Sequence, residues 1–426
     1  MKKWSFLLVS CFLLAVVVLL FWLDALKPRP VSLIPTLTGK VEYCLSCHAD
    51  LPQISASHPV ASFGCVICHG GERLALDADL AHSTMRGKRN PSDLAVVEAS
   101  CGGENCHSAH KAGTPENQRD HIQRVRTSIQ STYAGALAQV RYAFGAQKDL
   151  IARQAIYAVQ DEKITTPSGV SSLTAFDAAQ ESNPTLRSFA KNCLDCHLSA
   201  PARPENEYSR LTGCAACHTP HVIDASKSDP KQPLHKLTMA IPYAQCNTCH
   251  NRGNYSMVDM QFHPRQDHPM DRLHDYYQPI AQFARCEWTL DCIDCHTRVE
   301  AMGDGDLHGS KKDIQYIQCR TCHGTLNDLP STRVIKDSND FALYQVFLNP
   351  VIDLKIGDTI VTTQKGEAMW AIRKQDIPNI PLSQFELTSK INKQRFNVPL
   401  VKGSGCQQDV TKQSSPDCEV CHAVDR

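Results

Sequence analysis

Nine times along this 426-residue chain a pair of cysteines is followed at once by a histidine. Eight occurrences share the spacing Cys-x-x-Cys-His: Cys44–Cys47–His48, Cys65–Cys68–His69, Cys193–Cys196–His197, Cys214–Cys217–His218, Cys246–Cys249–His250, Cys292–Cys295–His296, Cys319–Cys322–His323 and Cys418–Cys421–His422. The third in chain order, Cys101–Cys106–His107, places four residues between its cysteines. Together they take eighteen of the twenty-one cysteines, so any fold this chain adopts must serve them. A disulfide framework would explain paired cysteines but not a histidine after every second one. Zinc ribbons need two pairs per metal and no following histidine. A thioredoxin-like redox motif occurs once, beside a βαβ pattern, and nothing of that kind is repeated here.

The spacing does have a chemical reason in covalent haem attachment. Two thiols must reach two vinyl groups while the adjacent histidine swings under the iron. The motifs therefore predict nine covalently attached c-type haems (heme c). On these motifs the chain resembles a multihaem, here nonahaem, c-type cytochrome. The longer third motif is similar to motifs in the low-potential cytochromes of sulfate-reducing bacteria. Residues 292–425 are similar to large anaerobe cytochromes of periplasmic and extracellular electron transfer, while nine-haem relatives lack a β-rich segment like the one described below.

The N-terminus predicts where this chemistry takes place. After Met-Lys-Lys the chain runs without a charge from Trp4 to Leu23, twenty residues, enough for a helix to cross a bilayer. No small-x-small cleavage site follows, so residues 1–27 read as an uncleaved signal anchor. Lys2 and Lys3 favour a cytoplasmic N-terminus with the remainder outside, although Lys27 and Arg29 weaken the asymmetry. Leu8-Val9-Ser10-Cys11 also resembles a lipobox. In either case the expected location is membrane-anchored, facing the periplasm or cell exterior. Cys286 and Cys406 would then lie in a disulfide-permissive compartment, paired with each other or as two thiols. The apoprotein is formally neutral. Each haem adds two propionates, so an acidic holoprotein is expected, which excludes nucleic acid as partner and favours docking to basic patches on redox proteins.

About 44 residues outside the anchor serve each haem, so the macrocycles must supply much of the buried apolar surface. The expected fold is mostly α and coil with low regular secondary structure, a haem-stacked core and a small β-rich segment near the C-terminus. Sixteen residues separate the first motif from the second, and again the fourth from the fifth, a spacing suited to stacked haem pairs. The organisation read from this is a first trihaem module at 28–116, a helical haem-free segment at 117–180 and a second trihaem module at 181–255. A haem-binding region with the seventh and eighth motifs follows at 256–325, then a β-rich haem-free segment at 326–415 and the ninth motif at 416–426. Within 117–163, Val125, Ile129, Leu137, Val140, Phe144, Ile151, Ile156 and Val159 recur at helical intervals, predicting one long or two shorter helices. Residues 340–348 and 352–363 are rich in β-branched and aromatic side chains and predict strands.

The nine motif histidines are the expected proximal ligands. Ten others remain for nine distal positions: His58, His82, His110, His121, His221, His235, His263, His268, His274 and His308. That supply predicts bis-histidine ligation, which saturates the iron and favours electron transfer over substrate binding. His110 and His221 lie three residues after a motif histidine, too near to cap the same haem, and should serve a neighbour. The function implied is a non-enzymatic electron conduit between a membrane or quinol-side donor and an extracytoplasmic acceptor. The competing class is a reductase of the nitrite or hydroxylamine type with one open iron. Such enzymes often carry Cys-x-x-Cys-Lys, which this chain lacks. Monomer and end-to-end self-association both stay open at this point.

Overall fold

The computed structural model describes residues 2–25, 29–103, 106–108, 120–162, 164, 166–194, 196–200, 210–219, 235–246, 248–249, 286, 289–375 and 384–422. The chain divides into two compact units, Met1–Arg89 and Asn90–Arg426. The division falls inside the residues expected as the first trihaem module, between the second and third motifs.

The first unit opens with a helix, Lys2–Ala25, that contains the whole uncharged stretch. Its side chains, described from Val9 on, stand largely exposed, Phe12 at 69% and Trp22 at 60%. Among the described residues no helix is long and apolar enough to cross a membrane. Beyond it the unit is built of single helical turns, Val60–Phe63, Val66–His69 and Ala78–His82, the last capped by the Asp77 carboxylate accepting from Leu80 N at 2.9 Å.

In the second unit the segment expected to be one or two helices forms three: His121–Thr127, Ile129–Thr132 and Ala134–Ala143. Ser128 breaks the first from the second because it takes an extended backbone and caps the next turn through Ser131 N. Tyr133 then adopts a left-handed conformation, φ 56°, and ends that turn. Past Gly145 the expected helix does not continue. The chain instead makes β1 (Gln154–Ala155), β2 (Val159–Gln160) and β3 (Ser172–Ala175), with β3 central, parallel to β1 and antiparallel to β2. Packing overrides the helical period here. Ala134 and Ala138 of the third helix bury against Ala152, Ala155, Leu173 and Leu307, which a continued helix could not bring together.

The expected β-rich segment contains five strands in an antiparallel meander: β4 (Thr332–Val334), β5 (Thr359–Thr362), β6 (Ala368–Gln375), β7 (Gln384–Thr388) and β8 (Arg395–Asn397). One stretch read as strand, 340–348, is helix instead, Phe341–Leu348. Asp340 decides it, since its carboxylate accepts from Ala342 N at 2.9 Å while holding Arg333. The sheet is covered on both faces. Ile360, Ala368, Trp370 and Ala371 pack with Ala342 and Ile335 on the helix side. Val361, Met369, Ile372, Phe385 and Leu387 pack the other way, onto Leu290, Ile317 and Cys322. The sheet thus seats directly on the seventh and eighth motifs.

Candidate cofactor-attachment sites

The motifs sit on short helical turns: Val66–His69, Ala215–His218, Cys292–Cys295, Cys319–His323 and Ser415–His422 hold five, and the ends of Val97–Cys101, Pro184–Cys193 and Tyr243–Cys246 begin three more. The first motif starts on a 3-10 turn, Cys44–Ser46. In Cys292–Cys295, Cys319–His323 and Ser415–His422 both cysteines lie on one turn, which aligns residues three apart and presents both thiols to one side.

Among the described residues, first cysteines of different motifs meet three times. Cys65 and Cys44 share a thiol hydrogen bond, which pushes Cys65 well up and Cys44 down. Cys292 does the same to Cys246, with burial adding to the rise. Burial raises the Cys418 thiol, and hydrogen bonding to Cys319 adds to it. Glu42 joins the first pair, all three donor atoms lying within 4.8 Å, so these residues could also hold a metal ion. The buried Glu42 carboxylate has work there already, accepting from Cys65 N at 2.7 Å and Val66 N at 3.3 Å. Because the same approach recurs at Cys246/Cys292 and Cys319/Cys418, closely apposed motif pairs account for all three with one geometry.

The motifs of the second unit are tied in succession. Gly213 N donates to Leu198 O at 2.6 Å, joining the fourth to the fifth, and Gln245 Nε2 donates to Ala216 O, joining the sixth to the fifth. Tyr243 N donates to Asp291 Oδ1 at 2.8 Å, linking the sixth and seventh. Lys390 Nζ donates to Ile293 O at 2.5 Å and its charge reaches Cys322, between seventh and eighth. Cys319 N donates to Ser415 Oγ at 2.9 Å, between eighth and ninth. The third joins through His121, whose surroundings include His107 and His218.

The histidines test whether haem fits. A proximal histidine offers Nε2 to iron when Nδ1–H is held by an acceptor. His218 Nδ1 donates to Thr238 O at 2.9 Å, His296 Nδ1 to Glu300 Oε2 at 2.9 Å and His323 Nδ1 to Pro399 O at 2.7 Å. Two imidazoles on opposite sides of one metal, each bonded at about 2 Å, have centroids about 6 Å apart. His48 and His82 stand at 6.1 Å, His107 and His121 at 5.5 Å. Burial first, then His107 and Arg298, push His121 down to about 3, so it is a neutral imidazole at physiological pH. His58 Nδ1 lies 3.0 Å from Ser57 Oγ and 3.3 Å from Ser55 Oγ, again on the nitrogen that ligation leaves to a partner. His197 is arranged the other way, with Nε2 on Leu194 O at 3.0 Å, so its ring must turn to ligate through that atom. These donor sets fit haem.

His308 has a different setting. It is buried, its Nε2 bonded to Asp304 Oδ1 at 2.9 Å, beside Leu307 in the core of the three-stranded sheet. His235 is half-buried, His69 and His422 stand on their motif helices, and His110, His221, His250, His263, His268 and His274 lie outside the described residues.

Asp294, Glu300, Glu367 and Lys390 are buried polar residues around the seventh and eighth motifs that sequence reasoning missed. Asp294 Oδ1 accepts from Lys390 N at 2.7 Å, and its Oδ2 from Asp291 N at 2.9 Å. Glu367 Oε2 accepts from Tyr316 OH at 2.6 Å. Burial lowers the buried Lys390 from its ordinary value, and Asp294 opposes that. A local signal existed for two of them: Thr297-Arg-Val-Glu300 and Asp291-Cys-Ile-Asp294 both form capping boxes, on the helices Arg298–Met302 and Cys292–Cys295. Compared with protein-family models, curated proteins and solved structures, the chain matches none.

Proposed function

We propose that the protein is a membrane-anchored, extracytoplasmic multihaem c-type cytochrome. It conducts electrons through nine bis-histidine haems between a membrane donor and a periplasmic or extracellular acceptor. Nine Cys-His motifs, seven of them consecutive in the second unit, carry the reading. Bound haem would supply one-electron chemistry at an iron whose two imidazoles leave no site for substrate. The chain's part is mechanical and electrostatic: cysteines tether, Nδ1 acceptors orient the imidazoles of His218, His296 and His323, and the ties between successive motifs from the fourth to the ninth keep those neighbours close enough for electrons to pass. On this reading the anchor is residues 1–27, argued from the uncharged run Trp4 to Leu23 in the sequence.

Intact mass of the denatured protein should exceed the polypeptide by nine haem masses; eight would assign the loss to the Cys101–Cys106 motif, and fewer than eight would sink the reading. Carbon monoxide should scarcely alter the reduced spectrum. A stoichiometric adduct, or sustained turnover of nitrite or hydroxylamine, would transfer the protein to the class of haem reductases.

A further inference from the structure

The three motif histidines described above with an Nδ1 acceptor differ in what accepts. His218 and His323 meet neutral carbonyl oxygens, Thr238 O and Pro399 O. His296 meets a carboxylate, Glu300 Oε2, at 2.9 Å. That carboxylate is 2% exposed. Its other oxygen accepts from Tyr316 N and Ile317 N, both at 2.8 Å, and Oε2 also takes Thr297 N at 3.4 Å. Four N–H donors converge on it, a pattern that requires an acceptor-only, ionised carboxylate, since a protonated one must donate.

We propose that Glu300 is a positioning residue for the seventh haem. It holds Nε2 of His296 as the ligating atom and gives the ring imidazolate character, setting this iron below those of the fifth and eighth motifs in potential. The inference rests on the reading that Cys292 and Cys295 carry haem. An anionic acceptor at Nδ1 increases electron donation from the ligand and so favours ferric iron, and mutating such partners typically costs about 10–100-fold in metal affinity or activity. Lys390, whose ammonium donates to Ile293 O within this motif, is itself opposed there by the charges of Asp294 and Glu367.

The experiment is a redox titration of the purified holoprotein against its Glu300→Gln variant. Glutamine keeps an acceptor for Nδ1–H but removes the charge. One haem in nine should become easier to reduce by at least tenfold, which is about 59 mV for a one-electron couple. Thr297→Ala is the control, because it removes the hydroxyl that caps the same helix and leaves the carboxylate on His296. A shift in both variants, or in neither, overturns the proposal. If Glu300→Gln loses haem, low-temperature EPR of the native protein decides instead. One low-spin signal with the compressed g-spread of an imidazolate-like ligand is expected, and its absence overturns the proposal. Mass counting comes first: fewer than eight haems refutes the proposed function itself, whereas eight with the Cys292–Cys295 peptide unmodified overturns this inference alone, before any potential is read.

Discussion

His121 couples burial to ligation at the scale of one residue. Replacing it with alanine should vacate the position opposite His107, 5.5 Å away in ring-centroid separation, and convert one iron to high spin while the other eight stay low-spin. EPR integration checks this; a spectrum identical to that of the native protein would remove His121 from the ligands. Gly64 shows a second kind of constraint. Its φ is +67°, and an added Cβ would lie 2.4 Å from Pro35 Cγ and 2.7 Å from Glu42 Oε1. Gly64→Ala should therefore cost more than about 1 kcal/mol, through both backbone strain and displacement of the carboxylate that holds Cys65 N. Thermal unfolding of the holoprotein measures it, and a change within error would show that this turn can relax.

Among elements, the helix Phe341–Leu348 hangs on one carboxylate. Hydrogen bonding to Arg333 holds Asp340 below its ordinary value despite partial burial, and Ala342 N assists. A depressed carboxyl contributes stability that is fully present above the unfolded value of about 4, and that contribution is lost as pH falls through the lower folded value. Asp340→Ala should lower the unfolding temperature at pH 7 by the equivalent of about 1 kcal/mol, with cap and ion pair lost together. The gap between variant and native protein should narrow below pH 4. An equal gap at pH 7 and pH 3 would show that the ionised carboxylate contributes nothing. The five-stranded sheet depends on this helix for one face and on Leu290, Ile317 and Cys322 for the other, so its strands are part of the wall around two motifs.

For the whole molecule, the proposed function expects residues 1–27 to separate cleanly from the motif-bearing remainder. Deleting residues 1–27 and supplying a cleavable export signal should yield a water-soluble protein with its full haem complement. The check is haem content and mass after export. Native protein recovered starting near Ala25, or lipid-modified at Cys11, would replace the anchor reading. Succession of the motifs is the other feature at this scale. Ties such as Gly213 to Leu198 and Tyr243 to Asp291 run between neighbours in the chain, so the order of motifs in sequence is also their order of contact from the fourth to the ninth.

The candidate donors are read from the residues alone, because thiol and imidazole chemistry dictates a spacing that no packing can alter. The five-stranded sheet was legible for a similar reason: β-branched runs such as Thr359–Thr362, next to a Gly-Asp turn, suit a pleated surface. Residues 340–348 were misread because an aromatic and aliphatic run is compatible with strand or helix, and the choice fell to a single cap at Asp340. The run from Ile151 to Val159 was misread because helical period yields when strand pairing buries Ala155 and Leu173 together. What accepts each Nδ1 belonged to tertiary structure. Thr238 lies 20 residues from His218 and Pro399 lies 76 from His323, and no local pattern encodes a backbone carbonyl arriving from that distance. The carboxylate on His296 is the exception, four residues away across the capped start of the helix Arg298–Met302, and the N–H groups of Tyr316 and Ile317 hold it as a charge against its burial.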